Sequence, residues 1–298
     1  MQRAATLLSG SLSTQHSPNL QSFDLSGSKL HIVAWGDDGH GQCLGGARSS
    51  ADSCIPVPSA VRLASGKSDF VQLGSGFEQS FLISAGGKLW AGGSNRAGCL
   101  SVSDEEQVFA ARPVDHPEAE DFEAAAVSAG RDHFVAIRQD GGTLLTWGCS
   151  NEFGQLGQGA ERVTTHPCPL RQFVMTPGVK VRAVSCGEDH VLALTERGEV
   201  YSWGSNAMGQ LGKTAKSCPT SLPEPQKLET GGLRGLPVRQ IAAGLNHSMA
   251  LGIGGQVFTW GSNKRGRLGL GADFEDSDRI YLPTMVPGLP GMARHIAG

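Results

Sequence analysis

The chain has little net charge, no long apolar run and no clustered cysteines. Its 25 Lys and Arg stand against 28 Asp and Glu, a formal charge of −3, so nothing draws it electrostatically toward nucleic acid or an anionic membrane. No stretch approaches the ~18 consecutive apolar residues of a membrane helix. The seven Cys (Cys43, Cys54, Cys99, Cys149, Cys168, Cys186, Cys218) are odd in number, scattered and without a C-x-x-C pair. They read as intracellular thiols, and no zinc site is expected, because zinc ligands cluster at short spacing. There is also no G-x-x-x-x-G-K-[ST] phosphate loop, so nucleotide binding by this chain is not supported and no cofactor is expected.

What is plentiful is glycine, 42 of 298 residues, roughly double the usual ~7% share. It follows no three-residue period, which excludes a collagen-like rod, and it calls for many turns in a globular chain. Residues 1–28 are rich in Ser and read as a disordered N-terminal segment, with a mitochondrial presequence as the alternative. A single Arg, at position 3, gives a basic amphipathic helix little support. Otherwise the expected location is cytoplasmic or nuclear.

From Lys29 to Gly298 the chain repeats. The clearest unit runs Gly187-Glu-Asp-His190, an apolar hairpin, Val200-Tyr-Ser-Trp203-Gly204-Ser-Asn206 and Gly209-Gln-Leu-Gly212. The same words recur from Gly130 to Gly157 and from Gly244 to Gly269. From His133 to His190 and from His190 to His247 is 57 residues each time. Two degenerate copies precede these: one contains Trp35, and in the other Gln79 stands in the His slot, while Gly92 stands in the Trp slot with Trp90 two residues earlier. A strand alternates with period two, so Trp90 is expected to face the same side as the missing Trp.

Each unit divides into short β-prone runs separated by Gly and Pro. In the best copy strands are predicted near Leu170–Val174, Val181–Ser185, Val191–Thr195 and Glu199–Trp203, a four-stranded antiparallel meander. The last two form a hairpin, with Gly86-Gly87, Gly141-Gly142 and Gly254-Gly255 at the equivalent turns. Sheets this small must stack to bury their faces, so the fold class is all-β, a propeller of four-stranded blades with about five units present.

The recurring Gly-x-x-His, Trp-Gly-x-Asn and Gly-Gln-Leu-Gly words resemble the regulator of chromosome condensation repeat family across residues 29–298. The resemblance implies a seven-bladed ring, which at this period needs roughly 400 residues. The sequence from Ala293 to Gly298 repeats the run before Gly244, so the expectation is an incomplete ring, with a longer reading frame continuing the repeat.

The resemblance also frames function. The family includes an exchange factor for the Ran GTPase, in which acidic residues of the Gly-x-x-His turns face the GTPase. The matching positions here are Asp132, Glu188 and Asp189, with Asn246 in the third copy. The alternative is that each Asp merely closes its own turn. No inserted β-wedge of the exchange-factor kind is visible.

The family's ultraviolet-B receptor carries Trp after the turn's Gly. Here that slot holds Phe77, Arg131, Glu188 and Leu245, which disfavours photoreception. His133, His190 and His247 recur once per unit, whereas a catalytic group is needed once per site, so they read as structural. The five Trp (Trp35, Trp90, Trp147, Trp203, Trp260) read as blade-packing residues. The acidic loop from Ser101 to Asp121 reads as a solvated surface, with a basic partner as the alternative. The expected role is therefore a non-enzymatic scaffold binding another protein, with guanine-nucleotide exchange on a small GTPase as the second reading.

Overall fold

A computed structural model describes residues 6–9, 32–37, 40, 42–44, 54–61, 70–115, 122–140, 143–160, 162–170, 178–214, 216–217 and 220–298. The described residues form five sheets in sequence order. The first holds β1 (Thr6–Ser9), β2 (Ile32–Asp37) and β3 (Cys54–Ala60). The second holds β4 (Phe70–Ser75), β5 (Gln79–Ser84), β6 (Leu89–Ser94) and β7 (Gln107–Pro113). The third holds β8 (Ala124–Ala129), β9 (His133–Arg138), β10 (Leu144–Gly148) and β11 (Cys168–Pro169). In the fourth are β12 (Val181–Cys186), β13 (His190–Thr195), β14 (Val200–Ser205) and β15 (Ser221–Lys227). The fifth comprises β16 (Val238–Ala243), β17 (His247–Gly252), β18 (Val257–Ser262) and β19 (Arg279–Met285).

The last four sheets are antiparallel meanders with neighbours in chain order. Their first strands stack on one another, β4 on β8, β8 on β12 and β12 on β16, which is how successive propeller blades meet around an axis. Apolar clusters fill the spaces between sheets. Phe81 of β5, Phe134 of β9 and Trp147 of β10 form one such cluster, with ring centroids 5.0 to 6.2 Å apart.

One expectation is corrected. The blade is phased one strand later than the sequence suggests: β15 completes the sheet of Trp203, and Leu170 belongs to the preceding sheet, where its N–H bonds Leu144 O. Most of the Leu170–Val174 run, like the Gly141-Gly142 turn and residues 116–121 of the acidic loop, lies outside the described residues. The physical reason is proline. β15 reads Ser-Leu-Pro-Glu-Pro-Gln-Lys, which argues against a central strand, but an outer strand needs hydrogen bonds on one side only. Its register shifts between Ser202 and Gly204, pairing Gln226 and Leu222 and skipping Pro223 and Pro225.

Within the segment read as disordered, Thr6–Ser9 forms β1, paired in parallel with Ile32–Trp35 of β2. The edge of β2 offers unpaired backbone groups to any short β-prone run. The rest of residues 1–28 lies outside the described residues. At the other end, Ile296 is buried, and its backbone exchanges bonds with the Gln240 amide at 2.8 and 3.2 Å. Partners 56 residues apart echo the contact of Arg182 Nη2 with Arg239 O, 57 residues on, between the fourth and fifth sheets.

Candidate functional site

The turn joining the first two strands of each four-stranded sheet is the Gly-x-x-His word, with Gln79 in place of His in the second sheet. These turns follow one another along one rim because consecutive turns bond directly: Arg131 N–H donates to Glu188 O at 3.1 Å, and Glu188 N–H to Leu245 O at 2.9 Å. Glycine is required for that spacing. A Cβ on Gly130 would meet the His133 ring and Gly187 O, and one on Gly187 would meet the His190 ring and Gly244 O. Serines two residues before these glycines add a second tie, Ser128 Oγ accepting from Cys186 N–H and Ser185 Oγ from Ala243 N–H.

The His side chains point inward. His133 and His190 have no solvent exposure, and His190 Nε2 sits 3.0 Å from Ser248 Oγ of the next sheet. Burial pulls the His133 pKa down to about 4 and that of His190 to about 3. His247 falls to about 4, again chiefly by burial. His190 thus ties the fourth sheet to the fifth, whereas neither His133 ring nitrogen has a hydrogen-bond partner among the described residues; neutral, enclosed imidazoles offer no base to a substrate in solution.

The charged side chains of the turns do come together, around a residue that sequence reasoning did not single out for this role. Arg131 Nη1 lies 2.7 Å from Glu188 Oε1, Nη2 lies 3.0 Å from Asp189 Oδ2, and Nε lies 3.5 Å from Asp132 Oδ2. Asn246 Nδ2 donates to Glu188 Oε2 at 2.9 Å. All four expected partner-binding residues therefore belong to one network whose hub is Arg131. The available signal was the period itself, since Arg131 stands 57 residues before Glu188 in the same slot of adjacent units, with opposite charge. Burial raises the Asp189 pKa against the pull of Arg131.

Farther along the rim Glu78 faces His40 at 3.3 Å and Arg96 at 3.8 Å. Phe77 and Leu245, in the Arg131 slot of the second and fifth sheets, are 40% and 47% exposed. Among the described residues no group of three or more His, Cys, Asp or Glu is placed to hold a metal ion, and no helix is long and apolar enough to cross a membrane.

Trp90, Trp147, Trp203 and Trp260 lie in the apolar clusters between sheets, and the side chain of Trp35 lies outside the described residues. Trp203 Nε1 donates to Gln155 O at 3.0 Å and Trp260 Nε1 to Gln210 O at 2.8 Å, each reaching the Gly-Gln-Leu-Gly loop of the preceding sheet. Trp90 instead packs edge-on against Phe70, with centroids 5.9 Å apart.

Comparison with known proteins gives a consistent placement. The family model of the RCC1-like domain matches residues 31–298. The chain is 32% identical over 219 residues to the ultraviolet-B receptor UVR8 of Arabidopsis thaliana, covering 74% of this chain and 46% of that protein. It is 38% identical over 187 residues to the secretion-regulating guanine nucleotide exchange factor of Mus musculus, covering 60% and 36%. Among solved structures, human WBSCR16 superposes with a TM-score of 0.73 at 25% identity, over 89% of this chain and 69% of that one. The chain thus spans less than half the length of either curated relative.

Proposed function

The chain belongs to the RCC1-like domain family, and on that premise we propose that it is a non-catalytic propeller scaffold that docks a protein partner, a small GTPase, on the rim of Gly-x-x-His turns. The observation that carries this reading is the Arg131 network. It gathers Asp132, Glu188 and Asn246, with Asp189 buried beneath them, drawn from three sheets, into one polar patch flanked by Phe77 and Leu245. Three carboxylates around one guanidinium leave the patch net negative, which suits a basic partner surface, while the exposed apolar side chains supply contact area. The buried histidines offer no acid–base chemistry. Docking and shaping a partner is work that this surface can do without a reacting group.

The second reading is guanine-nucleotide exchange, favoured by the similarity to a secretion-regulating exchange factor. The discriminating experiment measures binding and nucleotide release together, on a panel of purified small GTPases loaded with a fluorescent nucleotide. The scaffold reading expects a GTPase that binds the wild type, fails to bind a Phe77→Glu, Leu245→Glu variant, and releases nucleotide at its intrinsic rate. Accelerated release establishes exchange instead. Binding that survives the rim variant overturns the rim as the docking face.

A further inference from the structure

The junction between the second and third sheets departs from the others at two slots. After Asn206 of the fourth sheet the loop runs to Gln210, whose Nε2 lies 3.4 Å from Asn246 Oδ1 in the turn of the fifth. In the second sheet the Gln210 slot holds Cys99, counted from Asn95, and the Asn246 slot in the third sheet holds Asp132. The residue whose N–H bonds the carbonyl of that turn position is Ser94, Ser205 or Ser262 in the other sheets, and Cys149 here. Two cysteines therefore replace Gln and Ser at one junction, on opposite sides of it.

They meet. Cys149 packs on the apolar cluster that contains Cys99, near enough for each thiol to shift the other's titration, while Cys149 Sγ lies 3.9 Å from Asp132 Oδ1 and Cys99 Sγ 3.8 Å from Ser94 O. Cys99 is 1% exposed, while Cys149 is partly open to solvent.

We propose that Cys99 and Cys149 form a redox pair that closes to a disulfide between adjacent blades, oxidised by a low-molecular-weight disulfide such as oxidised glutathione. The roles follow from exposure. Cys149 gives up its proton to solvent, and its thiolate attacks one sulfur of the small disulfide, forming a mixed disulfide and expelling one thiolate. Cys99 then attacks Cys149 Sγ; its own proton goes to the departing second thiolate. Two protein thiols are oxidised and one small disulfide is reduced to two thiols.

The thiol environments agree with that order. The neighbouring Cys99 thiol lowers the Cys149 pKa, whereas Cys149, followed by burial, raises that of Cys99. The closed bond ties the β6–β7 connection to the end of β10, beside Asp132 on the rim. Cys186, which burial pushes up to about 12, is the internal control and stays reduced.

The test treats the full chain with oxidised glutathione, alkylates the remaining thiols and maps the peptides by mass spectrometry. The expected result is loss of two hydrogens, a linked Cys99–Cys149 peptide and an alkylated Cys186. The Cys99→Ser variant is expected to stop at one glutathionyl group on Cys149. Three results overturn the proposal: both thiols still alkylated in the wild type, a mixed disulfide on wild-type Cys149 that never resolves, or Cys149 paired with another cysteine. The wild-type map decides even where the variant folds poorly.

Discussion

Leu44 fills the space that Gly92 leaves open. In the fourth and fifth sheets that space holds the indole of Trp203 or Trp260, packed against Gly157 or Gly212 of the preceding loop, where a Cβ would crowd the ring nitrogen. In the second sheet both partners are exchanged: Leu44 stands in the glycine slot, with φ of 57°, and Gly92 stands in the tryptophan slot, where a Cβ would strike Leu44 Cδ2. A left-handed leucine costs about 1–2 kcal/mol, so the contact has to offset backbone strain.

The pair should therefore be strongly coupled. Leu44→Gly relieves the strain but leaves a cavity at a fully buried site, for a net loss of about 2–4 kcal/mol. Gly92→Trp alone overpacks against Leu44 and costs at least ~1–3 kcal/mol. The double variant recreates the Gly–Trp arrangement of the later sheets, so its stability is expected to exceed the sum of the single effects by more than ~1 kcal/mol, read from denaturant midpoints. Simple additivity contradicts the account.

The buried histidines set the acid sensitivity of the fold. Their folded pKa values, about 4 for His133 and about 3 for His190, lie below the unfolded value of ~6.5. Between those limits the unfolded chain binds more protons, so stability falls as the pH drops below ~6.5. Each imidazole is expected to cost about 2 kcal/mol by pH 5. The second sheet shows the remedy, with Gln79 buried in the His slot. His190→Gln is expected to flatten the decline in melting temperature between pH 7 and 5; an unchanged slope contradicts this.

Arg131 holds the turn network together. Arg131→Ala leaves Asp189, its side chain 12% exposed, without its guanidinium. The expected loss is about 1–2 kcal/mol at pH 7, at the modest end because Arg131 is itself partly solvated. Removing the cation raises the Asp189 pKa further, so the deficit should shrink as the pH falls and the carboxyl protonates. A deficit independent of pH, in thermal melts of both proteins, contradicts this assignment.

Fold class and repeat period were legible because Gly-x-x-His and Trp-Gly-x-Asn return at constant spacing. The outer strand was not, because Pro223 and Pro225 read as loop signals until the sheet edge is known. The rim acids were legible in their turns, but their pairing was not: Arg131 meets Glu188 across a sheet junction, a contact that appears only when adjacent units are set side by side. The Leu44 and Gly92 exchange needs the same knowledge, namely which loop lies under which strand.

The docking rim is tested most directly by association rates. With the GTPase that binds in the panel immobilised, wild type and the Asp132→Asn, Asp189→Asn variant are compared by surface plasmon resonance from low to high ionic strength. Removing two negative charges from the rim is expected to slow association several-fold at low salt, with the two proteins converging as screening removes the steering. Association rates that coincide at every ionic strength would contradict the account and place the binding face elsewhere.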